Sequence, residues 1–399
     1  MDSKEMINAL KIGVVPHKDV LELCVSRDFE INEFEKLLKN VMGNQSHVRF
    51  LNGEYGSGKS FFLKIIEELA LKNNFVVSNI SIMPYSDIRS FYIDIMNSLV
   101  SQNEGSFKEI IDNWLDELQD ILSDENQDFF NHIIHEELFE SIKFSNEFIL
   151  AIEYYNKFRN SNEFDKASSI FSWLCGEDAI PFSKSNYVKI NEVKLLQSLS
   201  YFIKLAGYSG MVILVDEAEN MMIDFNNRIN FYSIIKYLLE LCSLNKFNSS
   251  LFVFATTPEF LVHQQKGIPS YESLDDLLKN ALNTNLVDIR TLIYNLRGFD
   301  VNNLKEIARK LIIIHEEAYD WNANDKISPV LDGILSIYIS EASLTGGKVI
   351  PRIFIRSFIS VLDTVQQNQS FFKDSNQILK LFDEQKALKI DFDDFDYDW

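Results

Sequence analysis

Eight residues, Gly53-Glu54-Tyr55-Gly56-Ser57-Gly58-Lys59-Ser60, restrict this chain more than any other feature. Glycine is scarce, 14 in 399 residues, yet three fall inside this window. The segment before it, Val48-Arg49-Phe50-Leu51-Asn52, reads as a strand. The segment after it, Ser60–Leu71, reads as a helix, because Phe61, Phe62, Ile65, Ile66 and Leu69 recur at helical spacing. A strand, the pattern G-x-x-x-x-G-K-[ST] and a helix in that order make a phosphate loop, the Walker A element. Glycines let the backbone turn so that several N–H groups converge on an anion. The helix start points its positive dipole end at the same place. The expected ligand is ATP with Mg²⁺, held by Gly53, Glu54, Tyr55, Gly56, Ser57, Gly58, Lys59, Ser60 and Phe61. Lys59 would meet the β- and γ-phosphates, and the Ser60 hydroxyl would take a metal position.

Two later strands end in polar residues. Met211-Val212-Ile213-Leu214-Val215 runs into Asp216-Glu217, the expected Walker B element. A buried strand delivers a carboxylate to the edge where open α/β sheets bind ligands. Asp216 is expected to hold Mg²⁺ through water, and Glu217 to orient and deprotonate the attacking water. Glu219 is the weaker candidate for that second role. Alone, this string would read as a core strand ending in a turn; paired with the glycine loop, it reads as chemistry. Leu251-Phe252-Val253-Phe254-Ala255 ends in Thr256-Thr257. Where an extra strand lies between the two motifs, such a hydroxyl contacts the γ-phosphate or the water; Thr256 is the first choice and Thr257 the reserve.

Arginines supply the remaining candidates. Arg27 and Glu30 precede and open an amphipathic helix predicted over 28–40, a segment of the Arg-x-x-Glu kind that lines adenine pockets. The same residues also suit a capped helix start. Arg352 follows Pro351 at the start of a predicted lid helix, the usual place for an arginine reaching back to phosphate. For any one of Arg290, Arg297, Arg352 and Arg356 a solvated surface charge is the default reading; beside it, Arg290 or Arg297 would serve as an arginine finger across a subunit boundary, and Arg356 is a further candidate.

Charge divides the chain. Residues 101–180 hold 18 acidic against 5 basic side chains, and 391–399 hold five aspartates with no base, out of a net −21. Nucleic-acid affinity comes largely from neutralising phosphates, so DNA contact, if made, is expected elsewhere than in these two stretches. The tail has two readings: a disordered, solubilising end, the usual fate of an acidic run, or, since Asp alternates with Phe, Tyr and Trp, a segment that docks in a basic, apolar groove on a partner or a neighbouring subunit. Cys24, Cys175 and Cys242 lie in apolar neighbourhoods without metal spacing and read as buried thiols of a cytoplasmic protein. His132 and His135 read as one face of an acidic helix rather than a metal site. No apolar run is long enough to span a bilayer.

The fold class expected is α/β: a P-loop NTPase with an AAA+/ASCE-like parallel sheet, an acidic α-helical insertion and a C-terminal helical lid. The expected division is 1–100 and 196–300 for the two halves of the core, 101–195 for the insertion, 301–385 for the lid and 386–399 for the tail.

Tyr55-Gly56-Ser57-Gly58-Lys59-Ser60-Phe61, Asp216-Glu217-Ala218-Glu219-Asn220 and Phe254-Ala255-Thr256-Thr257-Pro258-Glu259-Phe260 resemble the BrxC/BrxD-like P-loop ATPases of bacterial BREX phage-defence loci. The resemblance covers roughly 9–100 and 197–362. It implies an AAA+-like, STAND-type fold, ATP hydrolysis, a homo-oligomeric switch or motor, and other defence-system proteins as partners. Two other readings stand beside it: a nucleotide-stabilised interaction module with little turnover, and an AAA+ adaptor that loads another enzyme on DNA.

Overall fold

A computed structural model describes residues 2–82, 87–103, 105–121, 144–177, 192–282, 292–344 and 349–393. Its contacts divide the chain into two compact units. One comprises residues 33–52 and 69–294; the other comprises 1–32, 53–68 and 295–399.

The first unit is built on a five-stranded sheet: β1 (Ser46–Asn52), β2 (Val76–Ser81), β3 (Met211–Asp216), β4 (Ser250–Thr256) and β5 (Ile293–Asn295), in the order β2-β3-β4-β1-β5. The pairings of β2 with β3, β3 with β4 and β4 with β1 are all parallel. Parallel strands covered on both faces read as unbroken apolar runs. Met211 to Val215 and Leu251 to Ala255 are accordingly sealed from solvent along their whole length. Phe254 of β4 stacks on Phe50 of β1, ring centroids 5.7 Å apart, and meets the edge of Phe231 at 6.0 Å. Phe231 lies on the helix Phe225–Ser243, and on its other side it meets Phe91 of the helix Ile88–Ser98.

The described part of 101–195 is helical: Phe107–Ile121, Asn146–Asn160, Phe164–Leu174 and the start of Glu192–Leu205. These helices share the core of the sheet unit. Phe202 receives the edges of Phe107 and Trp114, centroids 6.1 and 5.2 Å away. The acidic side chains lie toward the rim, where Arg159 bridges Asp112 at 3.0 Å and also pairs with Asp116. Tyr155 donates its hydroxyl to the same Asp112 at 2.8 Å.

In the second unit the helices Ser3–Lys11, Val301–Tyr319, Leu331–Leu344 and Pro351–Gln367 enclose a separate core around Ile7, Leu311, Ile334, Phe354 and Phe358. Ser3–Lys11 packs against both Val301–Tyr319 and Pro351–Gln367. A polar chain crosses this core. Trp321 donates Nε1–H to His315 Nδ1 at 2.8 Å, so the imidazole is left to donate from Nε2 to Asp363 Oδ1 at 3.1 Å. Lys11 Nζ donates to Asp363 Oδ2 at 2.5 Å. Burial pushes the Asp363 carboxyl up, but the hydrogen bonds from His315 and Lys11 outweigh it and hold the group below its ordinary range.

Cys175 and Cys242 are buried, and burial pushes each thiol up to about 12; Cys24 is half-buried and raised to about 11. Among the described residues no helix is long and apolar enough to cross a membrane. The side chains of the tail 391–399, and His132, His135 and Arg290, lie outside the described residues.

Asp363→Ala leaves a buried imidazole donor and an ammonium without their shared acceptor. It is expected to destabilise the protein by about 3 kcal/mol at neutral pH. A depressed carboxyl contributes stability above its unfolded pKa and loses it as pH falls through the folded one. The gap between wild type and variant in denaturant melts should therefore shrink below the ordinary carboxylate range; a gap independent of pH would contradict this account of the network.

Candidate nucleotide site

β1 hands the chain directly to the glycine loop at Gly53, and the helix Lys59–Lys72 begins where the loop ends. The loop is cramped. A β-carbon at Gly53 would stand 2.5 Å from Ser57 Oγ, and one at Gly56 would stand 2.7 Å from Ile350 Cγ2. Gly56 and Gly58 have φ of +73° and +91°, a region that side chains other than glycine enter at a cost. Lys59 is 7% exposed and turned inward on its own loop, donating to Gly53 O at 2.9 Å and Glu54 O at 3.3 Å. Ser57 is buried, and its Oγ has no hydrogen-bond partner among the described residues. Glu54, Tyr55 and Ser60 are exposed, and Phe61 is half-buried against the helical core.

The same unit holds the candidate arginines that the structure describes. Arg27 is buried. It pairs with Glu30 at 3.2 Å, donates to Arg297 O at 2.7 Å and lies 4.8 Å from the centre of the Phe299 ring. Arg27 is thus fixed by protein groups, while the exposed Arg297 guanidinium lies 6.0 Å from the centre of Phe29. Arg352 occupies the first turn of Pro351–Gln367, two residues from the Ile350 that touches Gly56. It is exposed, but its guanidinium is seated on the backbone at Gly13, where a β-carbon would be 2.8 Å from Nε. Arg356 approaches the same glycine through Cδ.

In the sheet unit, β4 lies between β1 and β3, as expected for the extra strand. The parallel register aligns Asn52 with Thr256 and Val215 with Phe254, so β1, β3 and β4 finish at one edge. Asp216 ends β3 half-buried, accepting from the Glu217 N–H through Oδ1 at 2.9 Å. Glu217 is exposed and adopts φ +55°, a left-handed conformation rare for a glutamate. A single turn of 3₁₀ helix, Ala218–Met222, follows and carries the half-buried Glu219. Thr256 is fully buried, and its Oγ1 has no hydrogen-bond partner among the described residues. Thr257 stands before Pro258 without a side-chain capping bond. Among the described residues no cluster of His, Cys, Asp or Glu could by itself hold a metal ion. A metal at Ser60 or Asp216 would accordingly need the phosphates as co-ligands.

These residues suit a phosphate group. Glycines leave a cradle that a β-carbon would fill, a lysine already caps two loop carbonyls, and the buried Ser57 hydroxyl on the same loop has no partner among the described residues. Sequence reasoning missed Ile350, Gly13 and Asn220. The first two carry no motif and act through packing alone; Asn220 stood in the Asp-Glu-Ala-Glu-Asn string without a role assigned to it.

A strand, a glycine loop and a helix, set in an α/β fold with a five-stranded sheet and flanking helices, define a P-loop NTPase-like protein. The chain belongs to the BREX system ATP-binding protein BrxC/D family, whose model matches residues 1–380. No curated protein matches the chain.

Gly56→Ala places a methyl group against Ile350 in a backbone region that disfavours it. ATP affinity in a fluorescent-nucleotide titration is expected to fall at least about tenfold, with a melting temperature close to wild type. Unchanged affinity would show that the loop does not have to hold this shape.

Proposed function

We propose that the protein binds ATP with Mg²⁺ through Gly53–Ser60 and hydrolyses it, acting as a switch or motor among the proteins of a BREX defence system. The observation that carries this reading is the end of β3: an aspartate delivered by a buried strand, followed at once by a glutamate in a left-handed backbone conformation. Strain of this kind concentrates at functional sites. A carboxylate directly after the Mg²⁺ aspartate favours hydrolysis over binding alone.

The roles follow residue by residue. The loop N–H groups and Lys59 hold the β- and γ-phosphates, Lys59 exchanging its two loop carbonyls for phosphate oxygens. Ser60 and Asp216 provide oxygen positions for Mg²⁺, which when bound neutralises charge on the phosphates. Glu217 accepts the proton of the attacking water. The Thr256 hydroxyl, unpartnered among the described residues, orients that water or the γ-phosphate. Arg352, close in its own unit to the loop through Ile350, serves as the lid arginine, and residues 301–385 act as the lid. Arg297 is the candidate to reach a neighbouring copy in a homo-oligomer. Arg27, paired to Glu30 and packed on Phe299, shapes the base pocket rather than meeting the base with a free guanidinium.

Lys59→Ala is expected to reduce ATP affinity by one to two orders of magnitude, since one charged phosphate contact is worth about 1.5–3 kcal/mol. Glu217→Gln should keep wild-type affinity and lose about 100-fold or more in turnover. Steady-state phosphate release, measured over a range of protein concentration with and without duplex DNA, checks both. Full turnover by Glu217→Gln would move the base elsewhere, and an absence of turnover in wild type under every condition would replace hydrolysis with nucleotide-stabilised interaction.

A further inference from the structure

Among the described residues, one holds the Glu217 side chain. Asn220, on the 3₁₀ turn that follows β3, donates from Nδ2 to Glu217 Oε2 at 3.3 Å. The same nitrogen donates to the Ile82 carbonyl at 3.2 Å, and Ile82 is the first residue after β2. An amide nitrogen carries two hydrogens, so both bonds can be made at once. The backbone reinforces the arrangement. Ile82 N–H donates to Asp216 O at 3.1 Å, and Asn220 N–H donates to Glu217 O at 3.0 Å. The end of β2, the end of β3 and the Glu217 carboxylate are therefore joined through a single primary amide.

We propose that Asn220 is the positioning residue for the general base: it fixes the orientation of the Glu217 carboxylate and ties it to the end of β2. This rests on the reading of Glu217 as the base. The backbone makes such a device necessary. At φ +55° the Glu217 side chain leaves the strand direction, and it is exposed, so nothing buried would otherwise select one rotamer. A donor at hydrogen-bond distance selects one. Because the donor's other hydrogen is on Ile82, a displacement of the chain after β2 would re-aim the carboxylate. The charged groups nearest the turn along the chain are Asp216 and Glu219 beside it and Asp224 and Arg228 where the next helix begins. Arg228 is directed elsewhere, donating to Met222 O and lying 5.2 Å from the centre of the Phe225 ring. Asn220 is the only donor to the Glu217 carboxylate found among the described residues.

The test is kcat and KM for ATP in full-length wild type, Glu217→Gln, Asn220→Ala and Asn220→Asp. Melting curves first establish that each variant is folded. Asn220→Ala should lower kcat about tenfold, the worth of one charged hydrogen bond, with KM little changed. Asn220→Asp keeps the shape but puts an acceptor where the donor stood, so its kcat should fall at least as far, again with KM little changed. A purely structural asparagine would shift melting and leave kcat in place. If Glu217→Gln is inactive while both Asn220 variants keep the wild-type kcat, the positioning role is overturned and the base assignment survives. If Glu217→Gln turns over like wild type, both are overturned.

Discussion

Parallel register among β1, β4 and β3 sets where every polar strand end emerges. With Asn52 opposite Thr256 and Val215 opposite Phe254, none of the three strands can slip without carrying its terminal side chain away from the common edge. That register is enforced by burial. Each central strand is apolar on both faces, so a one-residue shift would exchange the two packed faces and break contacts such as Phe50 on Phe254. The strand ends are therefore as fixed as the core, while the residues just beyond them, Glu217 above all, take conformations that a strand would not allow.

Much of this could be read from the sequence, because it is written in local patterns. The glycine loop, the apolar runs 211–215 and 251–255 and the helix predicted over Ser60–Leu71 each depend on neighbours in the chain, and the strands and the helix appear within a residue or two of their predicted bounds. Side-chain partners were not legible. Lys59 resting on its own loop carbonyls, Ile350 against Gly56 and Arg352 seated over Gly13 join residues far apart in sequence with no motif between them. The N-terminal helix Ser3–Lys11 is a similar case. Its place beside Val301–Tyr319 rests on Met6, Ile7 and Leu10 and on the ion pair from Lys11 to Asp363, none of which marks a destination in advance.

The acidic stretch after residue 101 also takes on a physical meaning. Its described helices are amphipathic, with Phe107, Trp114, Phe148 and Trp173 committed to the core of the sheet unit and carboxylates such as Asp112 and Asp116 left at the rim. Charge on those helices is the solvated side of an ordinary packed layer.

The most direct test of the account is an experimental structure with Mg²⁺ and a non-hydrolysable ATP analogue. The account predicts Lys59 Nζ released from the Gly53 and Glu54 carbonyls onto phosphate oxygen, loop N–H groups from 55 to 60 directed at the phosphates, and a hydrogen bond at last on Thr256 Oγ1. An analogue bound elsewhere, or bound with Lys59 still on its own loop and Thr256 still unpartnered, would contradict it.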